Sequence, residues 1–99
     1  MSRYVIRVEL NGEPSSATYE ALHAALAARG ARRSIKSNDG QWWHMPRATY
    51  YAETPEPPAN IHAEVLQIVR HFWNDIELFV AHFDEARFTL RPIKSALSA

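Results

Sequence analysis

The hydrophobic period of this chain switches between two residues and about 3.6 along its length, and the order of those switches constrains the fold more than any single residue does. From Arg3 to Leu10, Tyr4, Ile6, Val8 and Leu10 point one way and Arg3, Val5, Arg7 and Glu9 the other, as in a half-buried strand. Asn11-Gly12-Glu13-Pro14 breaks it. Tyr19, Leu22, Ala25, Leu26 and Arg29 then recur at helical spacing. Ser15, Ser16 or Thr18 can cap that helix, and Gly30 stands where a glycine closes one. Ala31 to Ser37 reads as a short second strand, Ser37-Asn38-Asp39-Gly40 as a hairpin turn, and Trp42 to Glu53 as an aromatic third strand. Pro46 inside that strand demands an edge, a bulge or a bend. Thr54-Pro55-Glu56-Pro57-Pro58 is a stiff linker, and Asn60 is the expected cap of a second helix carrying Ile61, Val65, Ile68, Val69 and Phe72 on one stripe. Ile76 to Phe83 is a fourth strand, Asp84-Glu85-Ala86 a turn, and Arg87 to Ile93 a short fifth strand ended by Pro92.

The order β-α-β-β-α-β, plus the short fifth strand, predicts an α+β fold of the ferredoxin-like split βαβ type, an antiparallel sheet with two helices on one face. One domain is expected over residues 1–93, with a frayed tail at 94–99. The uncovered face is expected to carry Arg7 and either Phe79 and Phe83 or Leu78 and Val80. Apolar groups remain exposed in both cases, so a homodimer through the open sheet face or an edge strand is expected.

With 46% hydrophobic and 22% charged residues, the 99-residue chain has an ordinary globular composition. It has no cysteine, which excludes disulfides, thiolate metal sites and cysteine nucleophiles. Met1-Ser2-Arg3 leads straight into a strand without a leader pattern, and no apolar run reaches the ~20 residues that span a bilayer. A soluble cytoplasmic protein without membrane contact is the expectation. No phosphate-cradling glycine loop, His-x-x-x-His or paired-acid spacing occurs, so neither a cofactor nor a metal is expected.

Net charge is zero but unevenly spread. Arg29, Arg32, Arg33, Lys36 and Arg47 face only Asp39 between residues 29 and 47, whereas residues 48 to 86 hold seven acids against Arg70. Arg32, Arg33, Lys36 and Arg47, interleaved with Trp42 and Trp43, form a basic, aromatic hairpin of the kind that grips phosphates and stacks on unpaired bases of single-stranded RNA. The plainer reading leaves Arg32 and Lys36 merely solvated and one of the two tryptophans in the core. Of five histidines, His23 and His44 are the acid/base candidates for cleaving such a strand, with Arg7 near the scissile group. His44 and Arg7 would converge if the first and third strands were neighbours.

The strand Tyr4-Val5-Ile6-Arg7-Val8-Glu9-Leu10, the helix end Ala28-Arg29-Gly30, the hairpin Ser37-Asn38-Asp39-Gly40 and the strand His44-Met45-Pro46-Arg47-Ala48-Thr49-Tyr50-Tyr51 resemble the small bacterial GhoS-like proteins. The resemblance spans most of residues 3 to 83 and rests on element order, length and a loose pattern. It implies a ferredoxin-like domain acting as a metal-independent endoribonuclease on messenger RNA, as the antitoxin of a toxin–antitoxin pair. It also implies that His23 occupies the first-helix position where that antitoxin carries a basic residue. Two rival readings follow from the residues themselves: a non-catalytic homodimeric binding or regulatory module for protein or RNA, and a small-molecule sensor with Trp42, Tyr50, Tyr51 and Phe83 lining a pocket between protomers.

Overall fold

The computed structural model describes residues 1–94. Most of the tail expected to fray, residues 95–99, lies outside the described residues. The elements are β1 (Ser2–Leu10), α1 (Ser16–Ala28), β2 (Ser34–Lys36), β3 (Trp42–His44), β4 (Thr49–Thr54), α2 (Pro58–Phe72), β5 (Ile76–Phe83) and β6 (Arg91–Pro92).

The α+β class is as expected: two helices and antiparallel strands. The strands, however, form two three-stranded sheets, ordered β4-β1-β5 and β2-β3-β6, rather than one. The cause lies at Pro46. A strand running through it would need a ladder N–H that proline lacks. The chain instead turns over Met45 to Ala48, where Ala48 adopts φ 56°, a left-handed conformation uncommon for alanine. The expected third strand thus becomes two: β3 pairs with β2 and β6, and β4 pairs with β1. The sheets stay linked where Arg32 and Tyr51 exchange backbone hydrogen bonds of 2.8 and 2.7 Å. The β5-β1-β4 order, continued by this link toward β2, is consistent with a split βαβ arrangement.

The core follows from alternation. Tyr4, Ile6, Val8 and Leu10 of β1 are buried against Leu22 and Leu26 of α1 and Ile61, Val65 and Val69 of α2. Ser15 caps α1, its side chain accepting from the Thr18 N–H at 3.2 Å. At the other end Gly30 has φ 97°, Gly30 N–H donates to Ala27 O at 3.0 Å and Ala31 N–H to Leu26 O at 2.9 Å. This closing motif needs a residue free to be left-handed, which glycine is.

Two local expectations are corrected. Asn60 is inside α2, not its cap: the helix starts at Pro58 with Pro57 in the capping position and no side-chain cap. Proline's fixed φ suits a first turn, whose N–H groups lack intrahelical partners anyway. The fifth strand shrinks from residues 87–93 to Arg91–Pro92, because Pro92 cannot donate and only a short stretch reaches β3.

Register assigns the uncovered face. Arg3, Arg7 and Glu9 stand opposite Phe83, Phe79 and Glu77 of β5, so this face carries Phe79 and Phe83, while Leu78 and Val80 lie on the helix side. Phe79 is 64% exposed.

Candidate functional site: a cationic and aromatic strip

The hairpin β2–β3 is built by its turn. Gly40 has φ 90° and donates to Ser37 O at 3.0 Å, and Ser37 N–H donates to Gln41 O at 2.9 Å. A turn closed by a left-handed glycine matches the twist of the flanking strands. Asp39 accepts hydrogen bonds from the Ser37 hydroxyl and the Gln41 N–H, which hold its carboxyl below the usual carboxylate range.

Lys36 lies directly opposite Trp42, with its ammonium 5.9 Å from the indole ring centroid. Both face a recess of about 360 Å³ that Arg32, Tyr51, Glu53, Gly30 and Met1 complete. Arg32 reaches it because its bridge to Tyr51 puts both side chains on the open side of the main sheet. The strip then continues across that sheet. The Tyr51 and Phe83 rings lie 6.1 Å apart, and the Arg3 guanidinium sits 5.2 Å from the Phe83 ring centroid. Cations and aromatic faces therefore alternate from Lys36 and Trp42 to Phe83. Among the described residues Arg3, Arg7, Arg32, Arg33, Lys36 and Arg47 enter no ion pair. Arg29 does: it is tied to Glu56 and Glu64, which lowers the Glu56 carboxyl and raises the guanidinium. The Tyr51 hydroxyl donates to Glu53 at 2.5 Å; burial first, then this carboxylate, push the phenol up.

The expected site residues separate. Arg32, Lys36 and Trp42 come together. Trp43 sits on the other face of the hairpin, where its indole donates to the Ser37 hydroxyl at 2.9 Å and meets Phe88 edge-on. Neither tryptophan of the pair joins the main core; Trp73 packs against it and donates to Asn11 O at 2.7 Å. Arg47 is exposed in the turn between β3 and β4.

His23 and Arg7 are on opposite faces of the main sheet. His23 projects from α1 toward Tyr50, with Nδ1 and the phenol oxygen 2.7 Å apart, whereas Arg7 is on the uncovered face. Burial, then the nearby Arg33 cation, lower the His23 pKa from 6.5, and burial pushes Tyr50 up to about 12. Arg33 therefore belongs with His23 and Tyr50, not with Arg32. The neighbour of β1 is β4 and not β3, so His44 does not sit beside Arg7. By alternation His44 shares the Lys36 and Trp42 face of the hairpin. Tyr50 is buried on the helix side, so it cannot line a pocket with Tyr51.

Sequence reasoning missed Arg3 as a partner of the basic hairpin and set Tyr51 and Phe83 beside Trp42 only as lining for a small-molecule pocket between protomers. The signal was present in the alternation of β1 and β5, but only the register between them joins it to the hairpin. No group of three or more histidines, aspartates or glutamates among the described residues could hold a metal ion. No helix among them is long and apolar enough to cross a membrane. No family model matches the chain, and no curated protein matches it.

Proposed function

We propose that the chain binds single-stranded RNA along the strip from Lys36 and Trp42 to Arg3 and Phe83. The narrower form of this proposal is the activity that the GhoS-like resemblance implies, an antitoxin that cleaves messenger RNA without a metal. The observation that supports binding is the alternation of unpaired cations with aromatic faces on one side of the molecule. A single strand offers both partners at once, bases to the rings and phosphates to Arg and Lys. Stacking on an aromatic ring contributes about 1–3 kcal/mol per base. Three phosphates held by Arg3, Arg32 and Lys36 would give a salt slope of about −2, modest as befits a chain of zero net charge.

For cleavage, His44 is the histidine on the binding side, exposed on the Lys36 and Trp42 face, where it can take the 2′-hydroxyl proton as that oxygen bonds to phosphorus; the P–O5′ bond breaks and the departing 5′-oxygen takes its proton from water. His23 acts behind the sheet, holding Tyr50 and hence β4 in place. The test titrates a single-stranded RNA pool with the chain, with and without EDTA. Trp42→Ala and Lys36→Ala are each expected to weaken binding about tenfold, the loss of one stacked base or one desolvated cation. Cuts that persist in EDTA, vanish in His44→Ala and leave binding intact support the ribonuclease. Binding without cleavage leaves an RNA-binding module, and affinity unchanged in both strip variants overturns the proposal.

A further inference from the structure

Among the described residues nothing pairs with the outer edge of β5, and its backbone pattern dictates one symmetric partner. Asn11 N–H donates to Asp75 O at 2.9 Å, one step beyond the Leu10–Ile76 pair. Bonded and non-bonded pairs alternate along an antiparallel ladder. Glu77, Phe79, Ala81 and Phe83 are therefore the β5 residues bonded to β1. The bond from Val8 N–H to Ala48 O, 3.0 Å, agrees: even residues of β1 serve β4 and odd ones serve β5. Ile76, Leu78, Val80 and His82 then turn their N–H and C=O groups away from the sheet. None of these groups has a hydrogen-bond partner among the described residues, and β5 is the last strand of its sheet.

Natural edges are normally blunted by lysine, proline, a bulge or shortness. The stretch Ile76–Phe83 has eight residues, an unbroken register with β1, and neither lysine nor proline. At its centre stands Phe79, 64% exposed.

We infer that β5 pairs antiparallel with β5 of a second copy of this chain, about a two-fold axis through Phe79, to make one continuous six-stranded sheet. Symmetry restricts the register. A two-fold axis normal to the sheet must pass through a residue, because opposed residues share a face. Only the axis at Phe79 pairs all four outward residues, Ile76 with His82 and Leu78 with Val80 in both directions. On the open face the same axis sets Phe79 against its own copy and Glu77 against Ala81, so no like charges oppose each other. On the helix side it covers Ile76, Leu78 and Val80, which α2 leaves partly exposed. The open faces of both copies then look the same way. The inference stands independently of RNA binding, since it concerns the edge and not the strip.

The absence of native cysteine makes the test clean. Sedimentation of the full chain over a concentration series should give twice the chain mass. A Phe79→Cys variant should cross-link to a covalent dimer on mild oxidation, since residues in a non-bonded pair have Cα atoms about 4.5 Å apart, within disulfide reach. An Ala81→Cys variant should not, its two copies being about 13 Å apart along the strands. Phe79→Lys should raise the dissociation constant at least tenfold while the circular dichroism spectrum stays unchanged. A monomer throughout the series overturns the inference. A dimer in which Ala81→Cys cross-links as fast as Phe79→Cys overturns it equally.

Discussion

The two edges of the main sheet are finished in opposite ways. At the β4 edge Tyr51 exchanges both its outward backbone bonds with Arg32, and Thr49 N–H is taken by Pro46 O at 3.0 Å. The closing segments are the residues just before β2 and just before β4, brought there by Gly30 and by the turn at Pro46. At the β5 edge no such segment arrives among the described residues, and the next strand, β6, joins β3 instead. A single sheet thus carries one edge partly closed from within the chain, at Thr49 and Tyr51, and one whose outward donors and acceptors have no partner among the described residues. The difference teaches that an edge is a property of what the chain does next, not of the strand itself.

Proline placement breaks the comparison most sharply. Ala81→Pro should cost about 3 kcal/mol in denaturant unfolding, because it removes an N–H bonded to Val5 and strands a carbonyl. With the two copies held apart by Phe79→Lys, Val80→Pro should cost less than half of what Ala81→Pro costs in the same background, since its N–H points outward and then meets no strand. Equal losses would mean that the inward and outward assignment is wrong. Next in size, Arg32→Pro should destabilise by about 2 kcal/mol, for it deletes the 2.8 Å bond to Tyr51 O. It should also create a second open edge, so light scattering should show species larger than the wild-type chain forms. Beneath the closed edge, Tyr50→Phe should cost about 1 kcal/mol at neutral pH through the lost contact with His23.

A pH scan sharpens the same region. His23 has its pKa lowered by burial and by Arg33, so the unfolded chain binds the proton more readily than the folded one. Its contribution is fully present above 6.5, the ordinary value, and is lost as pH falls from there through the depressed folded value. His23→Gln should flatten that part of the stability profile; an unaltered slope would assign the dependence elsewhere. Smallest of all, Glu53→Gln should tighten RNA binding about two- to threefold by removing an exposed carboxylate from the recess, an effect that salt should erase.

Much of this was legible in the residues. The alternation of Tyr4 to Leu10, the stripe from Ile61 to Phe72, Gly30 as a helix terminator and the Asp39-Gly40 turn each act through near neighbours, and each is found where expected. Pro46 announced a break, but not that the two halves of the strand would enter different sheets. The basic hairpin was visible as Arg32, Lys36 and Trp42, whereas the split between Arg32 and Arg33 depended on which face of the sheet each met. His23 and His44 were chosen for their imidazoles, and a side chain's chemistry says nothing of the sheet face it occupies.

The sequence by itself determined the class of fold, the two helices and their places between strands, and the face of β1 that is buried, because hydrophobic period and turn chemistry operate over a few residues. Tertiary structure alone decided which strands are neighbours, that Arg3 and Phe83 extend the strip begun by Lys36 and Trp42, and that His23 lies behind the sheet from Arg7. It alone left the outer edge of β5 without a pairing strand among the described residues. These outcomes depend on pairing between residues far apart in the chain, where many registers satisfy the same local pattern and only the packing of the whole core selects one.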